Sequence, residues 1–550
     1  MSKSLPDRPN LDQYRKQAKD LLHAHRAADP AALERIRQHH PTLHNLPLDQ
    51  IPSAPFTLAD AQLILAREHS FESWPRFAAH ITTLNLIRSL ADIHNPVAAF
   101  IEFACAPRHS GHATGTLEHA QLILSRYPHV ATANIHTATI LADEPTVRAF
   151  LSRDPSLATQ KGGPHQWDAL THLCFSRYLR LDESRSDAFV RTAQALLDAG
   201  ASAATGWYET IDHPTPRPLF ESALYGAAAI ARHPALTQLL LDHGADPNDE
   251  ETPYHVPETY DNTVLKILLA SGKLNPDSLN TILLRKADWH DEDGMQLALE
   301  HGVNPNQVTR WGLTALHQSL RSDNGLIIIE LLLNHGADPT IATLHHGTAA
   351  QIAARRGRGD ALDLFAQRNI TITLSPLDQL IAACAQNNDD AIHALTTAHP
   401  NLTAELLAQG GTLPALGGTL LAQFAGNNNA AGIRHLLALG VSPTALYPGD
   451  PYFEIPRDST ALHVAAWRAQ PAAVQLLIES GTPINALDGS NRTALQLAIR
   501  AATDSYWKHR RTTESIEALL KAGATQTNVT LPTGYPEADA LIERYRSKPS

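Results

Sequence analysis

The stretch Thr460–Gly481, TALHVAAWRAQPAAVQLLIESG, decides the fold, because its outline recurs at Thr314–Gly336 as TALHQSLRSDNGLIIIELLLNHG. Both read Thr-Ala-Leu-His, a helix of small residues, a short break, an apolar helix and a glycine. Each part has a physical reason. Thr460 can cap the first helix with its hydroxyl, while Ala461, Leu462, Ala465 and Ala466 keep that helix narrow enough to stack on neighbours. Val474, Leu477 and Ile478 fall at i, i+3 and i+4, an apolar stripe for burial between units. Gly481 supplies the left-handed residue that ends the second helix, and Asp, Asn and Pro after such glycines turn the chain outward into a finger.

Working outward, the end of the unit returns as LLDAGASA, LLDHGADPN, ALEHGVNPN, LLNHGADPT, LLALGVSPT, LLIESGTPIN and LLKAGATQT. The step from Gly302 to Gly336 is 34 residues; other steps are longer or degenerate. TALHVAA, TALHQSL, TALQLAI and the two HGADP segments resemble the T-P-L-H-x-A and G-A-D signatures of ankyrin repeats, with alanine where the consensus has proline. The resemblance covers roughly residues 195 to 530. It implies an all-α solenoid of stacked helix pairs with long β-turn fingers.

The first part of the chain reads separately. YRKQAKDLLHAHRAADPAALERIRQHHP and LADAQLILAREHSFESWPRFAAHI each outline a helix, a turn and a second helix, the latter with Leu58, Ala61, Leu65, Phe71, Trp74 and Phe77 as apolar points. They resemble the opening segment of bacterial ankyrin-repeat proteins and are expected to form a helical cap over residues 1–84, since a terminal unit must keep one face polar. Deletion of this cap is expected to destabilise the array. A degenerate first array is expected over 85–370, with Trp167-Asp168-Ala169-Leu170 standing for one Thr-Pro-Leu-His turn. A second array with its C-terminal cap is expected over 371–550, after periodicity is lost in AQRNITITLSP.

Composition sets the function classes. With 550 residues the chain exceeds one compact core, and 43% apolar residues argue against disorder. A formal charge of −12 argues against wrapping a nucleic-acid backbone. The N-terminus lacks a signal-peptide core and no run of about 18 apolar residues occurs, so a cytoplasmic monomer with no membrane contact is expected. Cys105, Cys174 and Cys384 are odd in number and far apart, and read as buried free thiols.

Chemistry could hide in three places. Among 30 histidines, His39, His40 and His44, and then His109, His112 and His119, have spacings a zinc site could use, but they lack cysteine or carboxylate partners at motif spacing. No cofactor or metal is expected. Asp288, His290, Asp291 and Asp293 could hold a divalent ion or supply acid–base groups, yet they sit between two helices, where carboxylates favour a helix start. Arg-Gly-Asp ending at Asp360 falls in a turn of a degenerate repeat. No nucleotide-binding, zincin or serine-hydrolase motif occurs, so no enzyme is expected.

The informative departures are three long fingers, ASAATGWYETIDHPTPRP, ADPNDEETPYHVPETYDN and VSPTALYPGDPYFEIPRDS. They carry Trp207, Tyr208, Tyr254, Tyr260, Tyr447, Tyr452 and Phe453, and Trp311 lies in a further turn. Exposed rings cost free energy in water, so these eight are candidate contacts with a protein partner. Self-burial of the rings on adjacent fingers is the bland alternative. A pocket among the fingers using Asp288, His290 and Asp293, serving an enzyme or small-molecule receptor, is the rival. The polar insertions CAPRHSGHATGT and RLDESRSD read as solvent loops on the opposite edge.

Overall fold

The computed structural model describes all residues except 1, 2, 4, 7, 8, 55, 92, 110, 212–216, 409–415, 506–509 and 547–550. Its contacts divide the chain into two units, Met1–Asp249 and Glu250–Ser550. In both, helices dominate and the few strands are confined to fingers. The repeating unit is the expected one. A short helix, Ala461–Trp467, buries all seven of its residues, and Pro471–Glu479 buries Ala473, Val474 and Leu477 while Ile478 is half-buried. Gly336 and Gly481 sit at φ +82° and +81°, a conformation that side chains with a Cβ rarely adopt.

The Thr-Ala-Leu-His turn does more than start a helix. Thr314 Oγ1 accepts a bond from the backbone N–H of His317 and lies 2.6 Å from its Nδ1, while His317 Nε2 reaches the Gly347 carbonyl at 3.1 Å. His463 repeats the pattern, with Nδ1 2.9 Å from Thr460 Oγ1 and Nε2 3.0 Å from the Ala486 carbonyl. Each histidine therefore ties its own helix start to the following finger. Burial lowers the pKa of both rings, keeping them neutral and able to donate from one nitrogen while accepting at the other.

In the first unit, residues 1–84 enclose their own apolar clusters. One gathers Ala18, Leu21, Leu33, Ile36, Ile64 and Leu65; the other joins Tyr14, Ala66, Phe77 and Ile81 with Phe71 and Trp74 packed against it. Glu68, buried there, is paired by Lys3 at 2.8 Å and Arg35 at 2.7 Å. Further along, Asp168 caps Ala169–Cys174 by accepting from the Thr171 N–H, as its place in the Trp-Asp-Ala-Leu turn implies. The first long finger is a β-hairpin, Gly206–Ile211 against Arg217–Ser222, with Trp207 opposite Glu221. All three cysteines are buried free thiols, with burial pushing each thiol pKa up.

In the second unit, inner helices Pro276–Asp288, Ala315–Arg321, Ala349–Arg355 and Pro376–Ala385 stack in chain order, the last pair packing across the stretch where periodicity fades. Leu416–Gly426, Ala461–Trp467 and Ala494–Thr503 continue the stack. The second finger folds as the short helix Glu251–His255, and the third pairs Leu446–Tyr447 with Ser459–Thr460 around the turn Pro451–Phe453.

Candidate interaction surface

The eight rings have different fates. In the first unit Trp207 is 7% exposed, packed on Trp167 at 5.1 Å and on Phe175 at 5.8 Å, whereas its neighbour Tyr208 is 68% exposed and lies 5.1 Å from Phe220. Alternation along a strand is the cause, since successive side chains point to opposite faces. Both line a cleft of about 300 Å³ with Arg108, Lys161, His165 and Trp167. The finger's tip, residues 212–216, lies outside the described residues.

The other six rings belong to the second unit. Tyr447 is buried and accepts a 2.8 Å bond from Gln423; burial raises its phenol pKa to about 12. Tyr254, Trp289, Tyr452 and Phe453 gather with Arg285, Asp288, His290 and Ser322 around a cleft of about 220 Å³. Trp311 extends the group, 6.0 Å from Tyr254 with Arg310 over its own ring at 4.6 Å, and the exposed Tyr260 meets Trp289 edge-on at 5.8 Å. The second and third fingers, about 200 residues apart in sequence, thus frame one site.

Its floor is charged and internally paired. Arg285 stands over the Tyr254 ring at 4.2 Å, bonds Asp288 at 2.5 Å and also reaches Glu258. Burial opposes the charge on Arg285, but Asp288, Tyr254 and Glu258 outweigh it and raise its pKa. Asp288 further accepts from Gln318 and from Ser322. Tyr452 lies against this network, with its hydroxyl 3.3 Å from Gln318 Nε2, and burial together with Asp288 drives its pKa up.

Phe453 anchors the third finger from the other side. Its ring lies under Arg468 at 4.3 Å and Arg356 at 5.7 Å, and its carbonyl accepts from Trp467 Nε1 at 2.7 Å. Asp323 bonds Arg356 at 2.9 and 3.1 Å and pairs with Arg468. Burial lowers the two guanidinium pKa values to about 10 and about 9, which leaves both charged at neutral pH. Beside this hub a second cleft of about 480 Å³ is lined by Arg321, Arg355, Arg356, His345 and His346 and, among the described residues, by no carboxylate. The two clefts adjoin through Arg321, which stands over the Tyr452 ring at 5.8 Å.

The Asp288–Asp293 segment does not act as one group. Asp288 belongs to the cleft floor. Asp291 caps Glu292–Glu300, accepting from Gly294 N–H at 3.0 Å, and pairs with the buried Lys286 at 2.6 Å; Asp293 lies exposed in that helix's first turn. Arg358 and Asp360 pair at 2.8 Å around a buried Gly359. His40 serves its own loop, its Nδ1 accepting from the backbone N–H of Leu43. The insertion after Cys105 differs from a solvent loop: its His112 is buried against Tyr225 and the hairpin finger. Sequence spacing could not reveal this, because Glu209 and Glu221, the groups it meets, are about 100 residues away.

Stacked helix pairs joined by outward fingers define an ankyrin solenoid, and the ankyrin-repeat family model matches residues 311–344 and 457–489. The two matched segments are ankyrin repeats, each holding a Thr-Ala-Leu-His helix start. It is similar to the human BCL-6 corepressor-like protein 1, 42% identical over 62 residues that are 11% of this chain and 3% of that protein. The chain therefore matches only a small fraction of that relative's length. Among solved structures it is similar to the human ASB11 ankyrin repeat domain, 21% identical with a TM-score of 0.21, covering 44% of this chain and 98% of that one. It is also similar to the ankyrin repeat domain of Bcl-3, a member of the IkappaB protein family, 20% identical with a TM-score of 0.20, covering 43% of this chain and 96% of that one. Among the described residues no helix is long and apolar enough to cross a membrane.

Proposed function

We propose that the chain is a non-catalytic interaction protein, whose second unit binds a protein segment carrying an aromatic or aliphatic anchor flanked by acidic residues. One observation carries the reading: two fingers distant in sequence bring Tyr254, Tyr452 and Phe453 together with Trp289, from the end of helix Pro276–Asp288, around a cleft that adjoins a second one lined by three arginines and two histidines. Rings of this kind are the usual interface anchors, and basic walls select acidic partners in a chain that is acidic as a whole. Asp288 is saturated by Arg285, Gln318 and Ser322, which favours a structural role for it over acid–base work.

A Tyr260→Ala, Trp289→Ala variant is expected to lose about thirtyfold in affinity for a partner recovered from source-cell lysate, following the ~2 kcal/mol typical of an interface anchor. Arg321→Glu is expected to weaken the same complex and to flatten its dependence on salt. Unchanged affinity in both variants, measured with the purified partner, would sink the reading.

A further inference from the structure

In the first unit, a histidine from one insertion meets two glutamates from a finger. The hairpin register pairs Trp207 with Glu221 and Glu209 with Leu219, so these four side chains project from one face. That face turns toward buried rings, yet two of its four positions are carboxylates. The Glu221 side chain is 0% exposed, Glu209 11% and His112 8%. His112 Nε2 lies 3.2 Å from Glu209 Oε2, and its Nδ1 lies 3.8 Å from Glu221 Oε2 and 3.1 Å from the Tyr225 hydroxyl. One ligand atom from each of the three residues falls within 4.8 Å of the others.

The geometry points to a site for a divalent transition-metal ion of the zinc type, held by His112, Glu209 and Glu221. Charge is the first reason. Taking a carboxylate out of water costs several kcal/mol, by order of magnitude, and a dication cancels two of them at once. Distance is the second. Metal–nitrogen and metal–oxygen bonds of about 2.0–2.2 Å at a tetrahedral angle place ligand atoms about 3.4 Å apart, close to the separation of Nε2 from the Glu209 oxygen. Orientation is the third. With an ion on Nε2 the ring proton sits on Nδ1, where the Tyr225 oxygen at 3.1 Å can accept it, the arrangement by which outer groups steer a ligating imidazole.

Access is the fourth reason. Glu209 and Trp207 line the first unit's cleft, and the buried Trp207 indole N–H, without a hydrogen-bond partner among the described residues, can donate to a water or anion that completes the site. One imidazole with two carboxylates and an open position suits a borderline ion rather than calcium, which takes six to eight oxygens. This departs from the expectation that the insertion's histidines bind no metal; His112 ligates with glutamates, while His119 stacks on Phe103 at 4.6 Å.

The full chain, stripped with a chelator and dialysed, is titrated with zinc by calorimetry and with cobalt by visible absorption. We expect one tight equivalent, and a rise in melting temperature with zinc because the ion binds the native state. Glu221→Gln and Glu209→Gln should each weaken uptake at least a hundredfold, and Tyr225→Phe about tenfold. Melting of the metal-free variants controls for folding; if Glu221→Gln does not fold, the less buried Glu209→Gln decides. Failure of the wild type to take up an equivalent would show a proton-sharing cluster and overturn the site. So would uptake that survives the glutamate substitutions, which would belong to other histidines.

Discussion

Adjacent residues of one finger differ sharply in what they hold. Trp207 packs on Trp167, Phe175 and His112, whereas Tyr208 stands in solvent on the opposite face of the same strand. Trp207→Ala is expected to lower stability by about 3–5 kcal/mol through the cavity it leaves. Tyr208→Ala should stay within about 0.5 kcal/mol of wild type, as exposed substitutions do. Thermal melting of the two variants side by side checks this, and equal losses would mean that the hairpin is placed differently. Both rings were legible in the sequence as finger aromatics. Which one faces inward was not, because strand parity depends on where the hairpin register begins.

At the scale of an element, the third finger is held by one ring between two buried cations. Phe453 lies under Arg468 and Arg356, while Asp323, from a different repeat, neutralises part of their charge. Cation–π contacts reach about 2 kcal/mol when desolvated, so Phe453→Ala should free the finger without unfolding its repeat. Hydrogen exchange is expected to quicken across residues 446–457 while Ala461–Trp467 keeps its protection. Loss of protection in both would show that finger and helix open as one unit. The helices themselves were readable from spacing: Thr314, Thr460 and the glycines at 336 and 481 mark their starts and ends as expected. The pairing of Asp323 with arginines 33 and 145 positions later follows no local pattern.

Over the whole molecule, a histidine cluster in the first unit and His255 in the second shift in opposite directions. In the first, burial lowers the pKa of His136 and His165 and holds His172 well below 6.5, with Asp168 and Glu102 opposing part of the effect. A depressed imidazole is neutral when folded and binds its proton on unfolding. Its contribution is therefore full above pH 6.5 and is lost as pH falls, by up to about 1.4 kcal/mol per pH unit for each group. In the second unit burial also opposes charge on His255, but hydrogen bonds and charge from Glu251 and Glu258 outweigh it and raise its pKa to about 9. That contribution is full below pH 6.5 and is lost as pH rises through about 9, on the order of 2 kcal/mol. Hydrogen exchange followed from pH 5 to 9, corrected for intrinsic rates, should show residues 136–175 opening toward acid and residues 250–290 toward base. His255→Gln should remove the basic-side loss; its persistence in that variant would assign it elsewhere.

Local spacing along the chain is enough to specify the repeat. Thr-Ala-Leu-His starts, small-residue first helices and Gly-terminated second helices are local devices, each acting within about ten residues, so their spacing shows in the chain. The aromatic fingers were visible for the same reason, as rings where an ordinary turn has Asp, Asn and Pro. What those rings do together depends on long-range packing: Tyr254 and Tyr452 share a cleft, Trp207 and Tyr447 are packed inside, and His112 meets Glu209 and Glu221. The physical reason is that lateral stacking of repeats and the register of a hairpin bring distant side chains within a few ångströms, and one residue of slip along a strand exchanges its inner face for its outer one.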